Sequence, residues 1–160
     1  MQPRTRFFYA ALISVLSVAA ASNAWADNIY LHVPGVTGPV TTAPYAGDID
    51  ILSYSQGFSN SGTTAQCSDT SMEKLIDVTS QYFARNVLEQ TGTFNATLHF
   101  VNSSAVEDTT IQLNTVRVTS VSHSASNGGI IESLSMHAAS LGVTFTDSTG
   151  AKKFYTATCP

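Results

Sequence analysis

Ser71-Met72-Glu73-Lys74 sets a hydroxyl three residues before an amine, the S-x-x-K spacing in which a lysine activates a serine for acyl transfer. That chemistry needs companion S-D-N and K-T-G elements, and the sequence has neither. The strand-to-helix serine motif G-x-S-x-G fails too, because Gly57-Phe58-Ser59-Asn60-Ser61 lacks its second glycine. His32, His99, His123 and His137 are scattered singly, with no H-x-H and no H-E-x-x-H, so each is expected at a surface or interface rather than on a metal. Asp48 and Asp50 share one face of a strand start, where paired carboxylates do acid-base work or hold Ca²⁺. No further oxygen ligands surround them, so they are expected to be solvated or bonded to backbone. No catalytic residue, metal ligand or cofactor is assigned, and an enzyme is not expected.

Two cysteines, Cys67 and Cys159, are the remaining reactive groups. An isolated pair in an oxidising compartment most simply forms one disulfide with a single possible connectivity. Free thiols or a redox pair are the competing reading. Neither C-x-x-C spacing nor a neighbouring cation that would favour a thiolate supports it.

The compartment follows from the first 26 residues. Arg4 and Arg6 precede an uncharged apolar run from Phe7 to Ala21, and Ala24-Trp25-Ala26 supplies an A-x-A peptidase site. This reads as a secretory signal peptide over residues 1–26, with the mature chain, 27–160, starting at Asp27. The run is too short to span a bilayer core, which takes roughly 20 residues. Loss of Arg4 and Arg6 leaves five cationic side chains against eleven carboxylates, a formal charge of −6. Nucleic acid and anionic membrane surfaces are therefore poor partners, and stable membrane insertion is not expected. A mature chain of 134 residues is a common size for one domain with one core.

Most of the mature sequence alternates with period two and is rich in Val, Ile, Thr, Phe and Tyr, the pattern of half-buried strands. In Thr93 to Val101, Phe94, Ala96, Leu98 and Phe100 share one face while Asn95, Thr97 and His99 share the other. Six further runs of this kind (Asn28 to Val33, Ile49 to Phe58, Met72 to Ile76, Thr109 to His123, Ile130 to Phe145 and Lys153 to Thr158) make about seven strands. The long run from Thr109 slips phase, since Ile111 and Leu113 share a face that Val116 and Val118 leave. A bulge or bend near Asn114 is expected, and Gly142 is a candidate kink in the next strand. One segment has helical spacing: Ser80 to Gln90 puts Phe83, Ala84, Val87 and Leu88 on one side, with Arg85 and Glu89 opposite. Asp77, Thr79 or Ser80 can cap its start and Gly92 can end it.

This order of elements, with the words inside it, resembles the hemolysin-coregulated protein (Hcp) family, tube components of type VI secretion systems. The resemblance is carried by Ile29-Tyr30-Leu31-His32-Val33-Pro34-Gly35, Ile49-Asp50-Ile51-Leu52-Ser53-Tyr54, Lys74-Leu75-Ile76-Asp77, Val116-Arg117-Val118-Thr119-Ser120 and Glu132-Ser133-Leu134-Ser135-Met136. It implies a mainly β fold, a small β-barrel of two packed antiparallel sheets with one flanking α-helix. It further implies association with itself into a hexameric ring that stacks into tubes, small secreted effector proteins as partners, and no catalytic residues. The export signal and the cysteine pair set this chain apart from cytoplasmic tube subunits. The function expected is therefore an exported, non-catalytic, ring-forming protein of the periplasm or the extracellular space. The alternative is a monomeric secreted binding or adhesion module on the same fold.

The export reading has a direct check: N-terminal sequencing of the protein recovered from outside the cytoplasm should begin at Asp27, since Ala24 and Ala26 are the small residues the peptidase requires. Recovery only from the cytoplasm, with Met1 retained, would defeat it.

Overall fold

The computed structural model describes residues 28–61, 64–126 and 128–159. Ala24, Ala26 and Asp27 lie outside these residues. Within them are ten strands and one helix: β1 Asn28–His32, β2 Ile49–Ile51, β3 Ser53–Ser55, β4 Phe58–Ser61, β5 Thr64–Cys67, β6 Thr70–Leu75, α1 Ser80–Glu89, β7 Phe94–Val101, β8 Glu107–Ser126, β9 Gly129–Thr146 and β10 Lys152–Thr158.

All pairings are antiparallel, and the strands run β2-β1-β7-β8-β9-β6-β3 in one sheet, with β10 added beside β9. The sheet curls into a nearly closed barrel because β8 and β9 are long enough to belong to both walls. The first half of β8 and the last half of β9 sit between β7 and β10, whereas the first half of β9 lies between β6 and the last half of β8. The two packed sheets implied by the resemblance are thus two walls of a single hydrogen-bonded surface.

The corner between the walls falls where the hydrophobic phase slips. Phe94 opposes Val116 but Ala96 opposes Leu113, so β8 carries one extra residue at Asn114–Thr115. Thr115 adopts a φ of 53°, and its N–H is taken up by Asn95 Oδ1 at 3.0 Å. The bulge keeps Ile111, Leu113, Val116 and Val118 all buried although their spacing changes. β9 changes phase at the same level: Met136 and Ala138 are buried, then Leu141 and Val143. The kink expected at Gly142 is therefore displaced to Ala139–Ser140. The missing side chain at Gly142 serves a close approach instead, since a Cβ there would stand 3.2 Å from the Phe154 ring.

The expected single strand from Ile49 to Phe58 is divided. β2 pairs with β1 on one wall and, after Leu52 alone, β3 pairs with β6 on the other. Leu52 N donates to Glu73 O at 2.7 Å, which closes this side of the barrel. β4 and β5 form a separate two-stranded hairpin in a stretch, Ser59 to Cys67, that the period-two reading assigned to no strand. Cys67 at its base is bonded to Cys159, and Cys159 N continues the β9–β10 pairing by donating to Ala139 O at 2.8 Å.

The helix faces the core differently from its apolar spacing. Ser80, Phe83 and Asn86 are buried while Leu88 is 82% exposed. The inward stripe is i, i+3, i+6, and Asn86 belongs to it because Asn86 Oδ1 accepts the Val118 N–H at 3.2 Å beside the bulges of β8. Its Nδ2 donates to Thr91 Oγ1 and Gly92 O, which fixes the helix exit. The helix stops at Gln90, in the left-handed region with φ 49°, two residues before the glycine expected to end it.

Cys67 and Cys159 close a span of 92 residues, worth on the order of 4 kcal/mol in the chain-entropy account. Replacing both by serine should lower the thermal midpoint by roughly 10 °C or more, at about 2–8 °C per kcal/mol for domains of this size. Calorimetry of oxidised and double-serine proteins checks it, and equal midpoints would remove the bridge from the stability argument.

Candidate functional site

The S-x-x-K reading does not survive the strand it sits on. In β6 successive side chains alternate sides, so Ser71 is exposed while Lys74 is fully buried on the other face. Ser71 and Lys74 point away from each other, and no acyl-transfer pair exists there.

Lys74 instead meets a different serine. Its Nζ lies 2.9 Å from Asp77 Oδ1, 3.3 Å from Glu132 Oε1 and 3.1 Å from Ser80 Oγ, and it donates to Leu75 O at 2.9 Å. Ser80 Oγ donates to Glu132 Oε1 at 3.1 Å, and His123 Nε2 meets Glu132 Oε2 at 2.9 Å. Lys74 and Glu132 are both 0% exposed. All of the Lys74 amine's neighbours are acceptors already engaged within the protein: two carboxylates, a backbone carbonyl and the Ser80 hydroxyl. The cluster is a polar joint between β6, β9, β8 and the start of α1. Burial raises the Asp77 pKa, but the Thr79 hydroxyl, Lys74 and the Thr79 amide together hold it below the ordinary carboxylate value. Sequence reading missed this joint; its signal was a lysine in phase with Met72 and a glutamate in phase with Leu134 and Met136.

All four histidines bond a carboxylate. The pairs are His32–Asp48 at 2.8 Å, His99–Glu107 at 2.5 Å, His123–Glu132 at 2.9 Å and His137–Asp69 at 3.3 Å. Asp48 is buried and used by His32, while Asp50 stays exposed, so the two aspartates do not act as a pair. Two of the histidine pairs border a cleft of about 690 Å³ between the segment following β1 and the outer face of β1 and β7. Tyr45 fills its middle, with its ring 4.7 Å from Tyr30 and 5.3 Å from His99. Burial and the neighbouring Glu107 raise the Tyr45 pKa, so its hydroxyl stays protonated. The cleft holds no activated nucleophile, and among the described residues no three His, Cys, Asp or Glu side chains are grouped to hold a metal ion.

The outer surfaces are more informative than any pocket. On the second wall, Ser55, Ser71, Ser135 and Ser120 stand abreast across β3, β6, β9 and β8. The next rung reads Ser53, Glu73, Ser133 and Ser122. Alternation places all eight on the face away from the core, and register aligns them into two rows of hydroxyls with one carboxylate. Exposed apolar side chains adjoin these rows at one end, Leu75 following Glu73 on the same face, and gather again at the far end of β9. Leu75, Ile76, Val78 and Ile130 gather where β6 ends and β9 begins, Ile76 N donating to Ile130 O at 3.0 Å. Phe154 and Tyr155, 65% and 46% exposed, stand on β10 beside the far end of β9. β10 bonds to β9 alone, leaving its other edge without a strand among the described residues.

Exposed apolar side chains thus stand at both ends of β9 on an otherwise largely polar barrel. The sequence pattern of the family described as Type VI secretion system effector, Hcp, matches residues 30–149. The chain belongs to that family. Among curated proteins no sequence relative matches. Solved structures share the fold at low identity: Hcp1 from Salmonella typhimurium is 15% identical, with 82% of this chain and 93% of that one covered and a TM-score of 0.74. A type VI secretion system effector from Yersinia pestis is 16% identical over 81% of this chain and 98% of that one, also at 0.74. Hcp1 from E. coli EAEC 042 is 17% identical over 82% and 98%, at 0.73.

The polar joint makes a definite prediction. Glu132→Ala should destabilise the fold by about 3–5 kcal/mol, because it strands a buried ammonium. The double variant Lys74→Met/Glu132→Leu should recover most of that loss, since the unpaired charge is gone. Urea unfolding of the three proteins decides it; equal loss in single and double variants would show that the pair itself is not what the core depends on.

Proposed function

We propose that this protein is an exported, non-catalytic structural subunit of the Hcp type, which associates head to tail with copies of itself into a ring. The observation that carries the reading is the placement of exposed apolar side chains at opposite ends of β9, on a chain whose family match spans residues 30–149. Two patches at opposite ends of one strand can meet in a heterologous contact, one patch of each copy against the other patch of the next, and such a contact repeats around a ring. Six subunits is the number the family resemblance supplies. Membership of a structural family supports a non-catalytic role, as does a buried Ser80–Lys74 contact that leaves no room for substrate. Export of a mature chain from Asp27 and action in the periplasm or outside the cell belong to the same reading. No described helix is long and apolar enough to cross a membrane. The partner is a second copy of this chain first, with small secreted effector proteins as cargo.

At micromolar concentration the mature protein should elute at several times its monomer mass, with annuli in electron micrographs. Phe154→Glu should weaken association by about tenfold or more, equivalent to about 1.4 kcal/mol, without lowering the thermal midpoint. A monodisperse monomer over that range would overturn the ring and promote the binding-module alternative, with the Tyr45 cleft as its site.

A further inference from the structure

We propose that the Cys67–Cys159 bridge is a redox lock on a single strand: oxidised, it holds β10 against β9, and reduced, it releases β10 while the rest of the barrel stays closed. The proposal goes beyond the ring reading, because it concerns how the strand is held and not what the strand touches.

β10 is weakly held by its own packing. It lies off the path that joins the two walls, and β9 is its only strand partner among the described residues. Six of its seven residues are exposed, and Ala157 alone is half-buried. Tyr155, which stands opposite Val143 and faces inward, covers no packed core; it overlooks a cavity of about 540 Å³ lined also by Phe100, Ile111, Val143 and Phe145. A strand with few buried apolar contacts and a solvent-exposed ladder belongs to the low end of local stability. β9 does not depend on it, since β8 pairs with β9 from Gly129 to Phe145.

Two ties hold β10 instead. At its start the turn after β9 is fixed by Asp147, whose Oδ1 accepts the Thr149 and Ala151 N–H groups at 2.9 and 3.0 Å. At its end Cys159 is buried, gives its N–H to Ala139 O and is bonded to Cys67. Cys67 sits on a firm anchor. Its neighbour Ser68 donates its N–H to Gly57 O at 2.9 Å, its Oγ accepts the Gly57 N–H at 2.8 Å, and its carbonyl accepts Gln56 Nε2 at 2.6 Å. The bridge therefore fastens a loosely packed strand to a well-bonded hairpin base. Cutting it leaves only the turn, and β10 frays from Cys159 back toward Lys152.

Cys67 is partly exposed and Cys159 is buried, so thiol exchange runs through Cys67. A dithiol reductant attacks Cys67 Sγ as its thiolate, the bridge S–S bond breaks, and Cys159 Sγ leaves as a thiolate that takes a proton from water. The reductant's second thiol then attacks the mixed disulfide and frees Cys67. Two electrons have passed to the bridge, and the reductant departs as a disulfide. A reducing compartment thus keeps β10 loose and an oxidising one locks it. Phe154 and Tyr155 ride on β10, so on the ring reading release also withdraws that apolar patch from the contact.

Hydrogen exchange read by mass spectrometry tests the lock on the mature protein: oxidised, reduced with a dithiol, and as Cys67→Ser/Cys159→Ser without reductant. In the reduced and double-serine proteins, exchange across β10 should rise by about tenfold or more over the oxidised protein, while β7 and β8 keep their protection. Reoxidation with glutathione disulfide should restore protection in the native sequence and not in the double-serine protein. Equal exchange across β10 in oxidised and reduced protein would overturn the lock. So would a rise shared equally by β7 and β8, which would make the bridge a staple of the whole barrel. Ring formation is scored separately in the same samples. Absence of rings in both redox states would count against the ring reading alone, with the exchange data still deciding the lock.

Discussion

The ammonium of Lys74 is enclosed by protein on every side, and the rest of the structure is arranged so that it is never alone. An unpaired buried charge is penalised by several kcal/mol, so Glu132, Asp77 and Ser80 must all arrive at the same place for the barrel to close. Those partners come from β9, from the turn after β6 and from the first residue of α1. One electrostatic requirement therefore fixes the height of the helix against the sheet and the register of β6 on β9. His123 extends the requirement into β8 through Glu132.

This joint also limits what the chain can do chemically. Serine, lysine, histidine and two carboxylates lie within bonding distance, a set from which hydrolases are built. Here the lysine is doubly ion-paired and the serine is buried between it and Glu132. The hydroxyl is taken up on both sides, accepting from Lys74 Nζ and the Asp77 amide and donating to Glu132 Oε1. The same residue types that make a catalytic centre in a cleft make a rivet when they are sealed.

How far the sequence disclosed this depends on the range of the interaction. Strand alternation is local, and it located the long strands and, through the slip between Leu113 and Val116, the corner at Thr115. The inward turn of the helix was hidden, because Asn86 looks like a solvated residue until the unpaired Val118 N–H beside a bulge is in view. Leu88 was misplaced for the complementary reason: its spacing fits an apolar stripe, but the stripe that packs is centred on Phe83. The division of Ile49 to Phe58 turned on which wall each half would pair with, a long-range matter that period-two reading does not carry. The rows of serines were legible only in fragments, since their rungs are set by the register of four strands.

The single residue between β2 and β3 has a mechanical meaning. With only Leu52 joining an edge strand of one wall to an edge strand of the other, and with β8 and β9 passing unbroken through both, the walls share nearly all of their backbone. Neither has a seam along which it can peel away. Hinge and shear motions of the kind that open two-layer proteins have no axis here, so the barrel behaves as one cooperative unit, rigid until it unfolds as a whole.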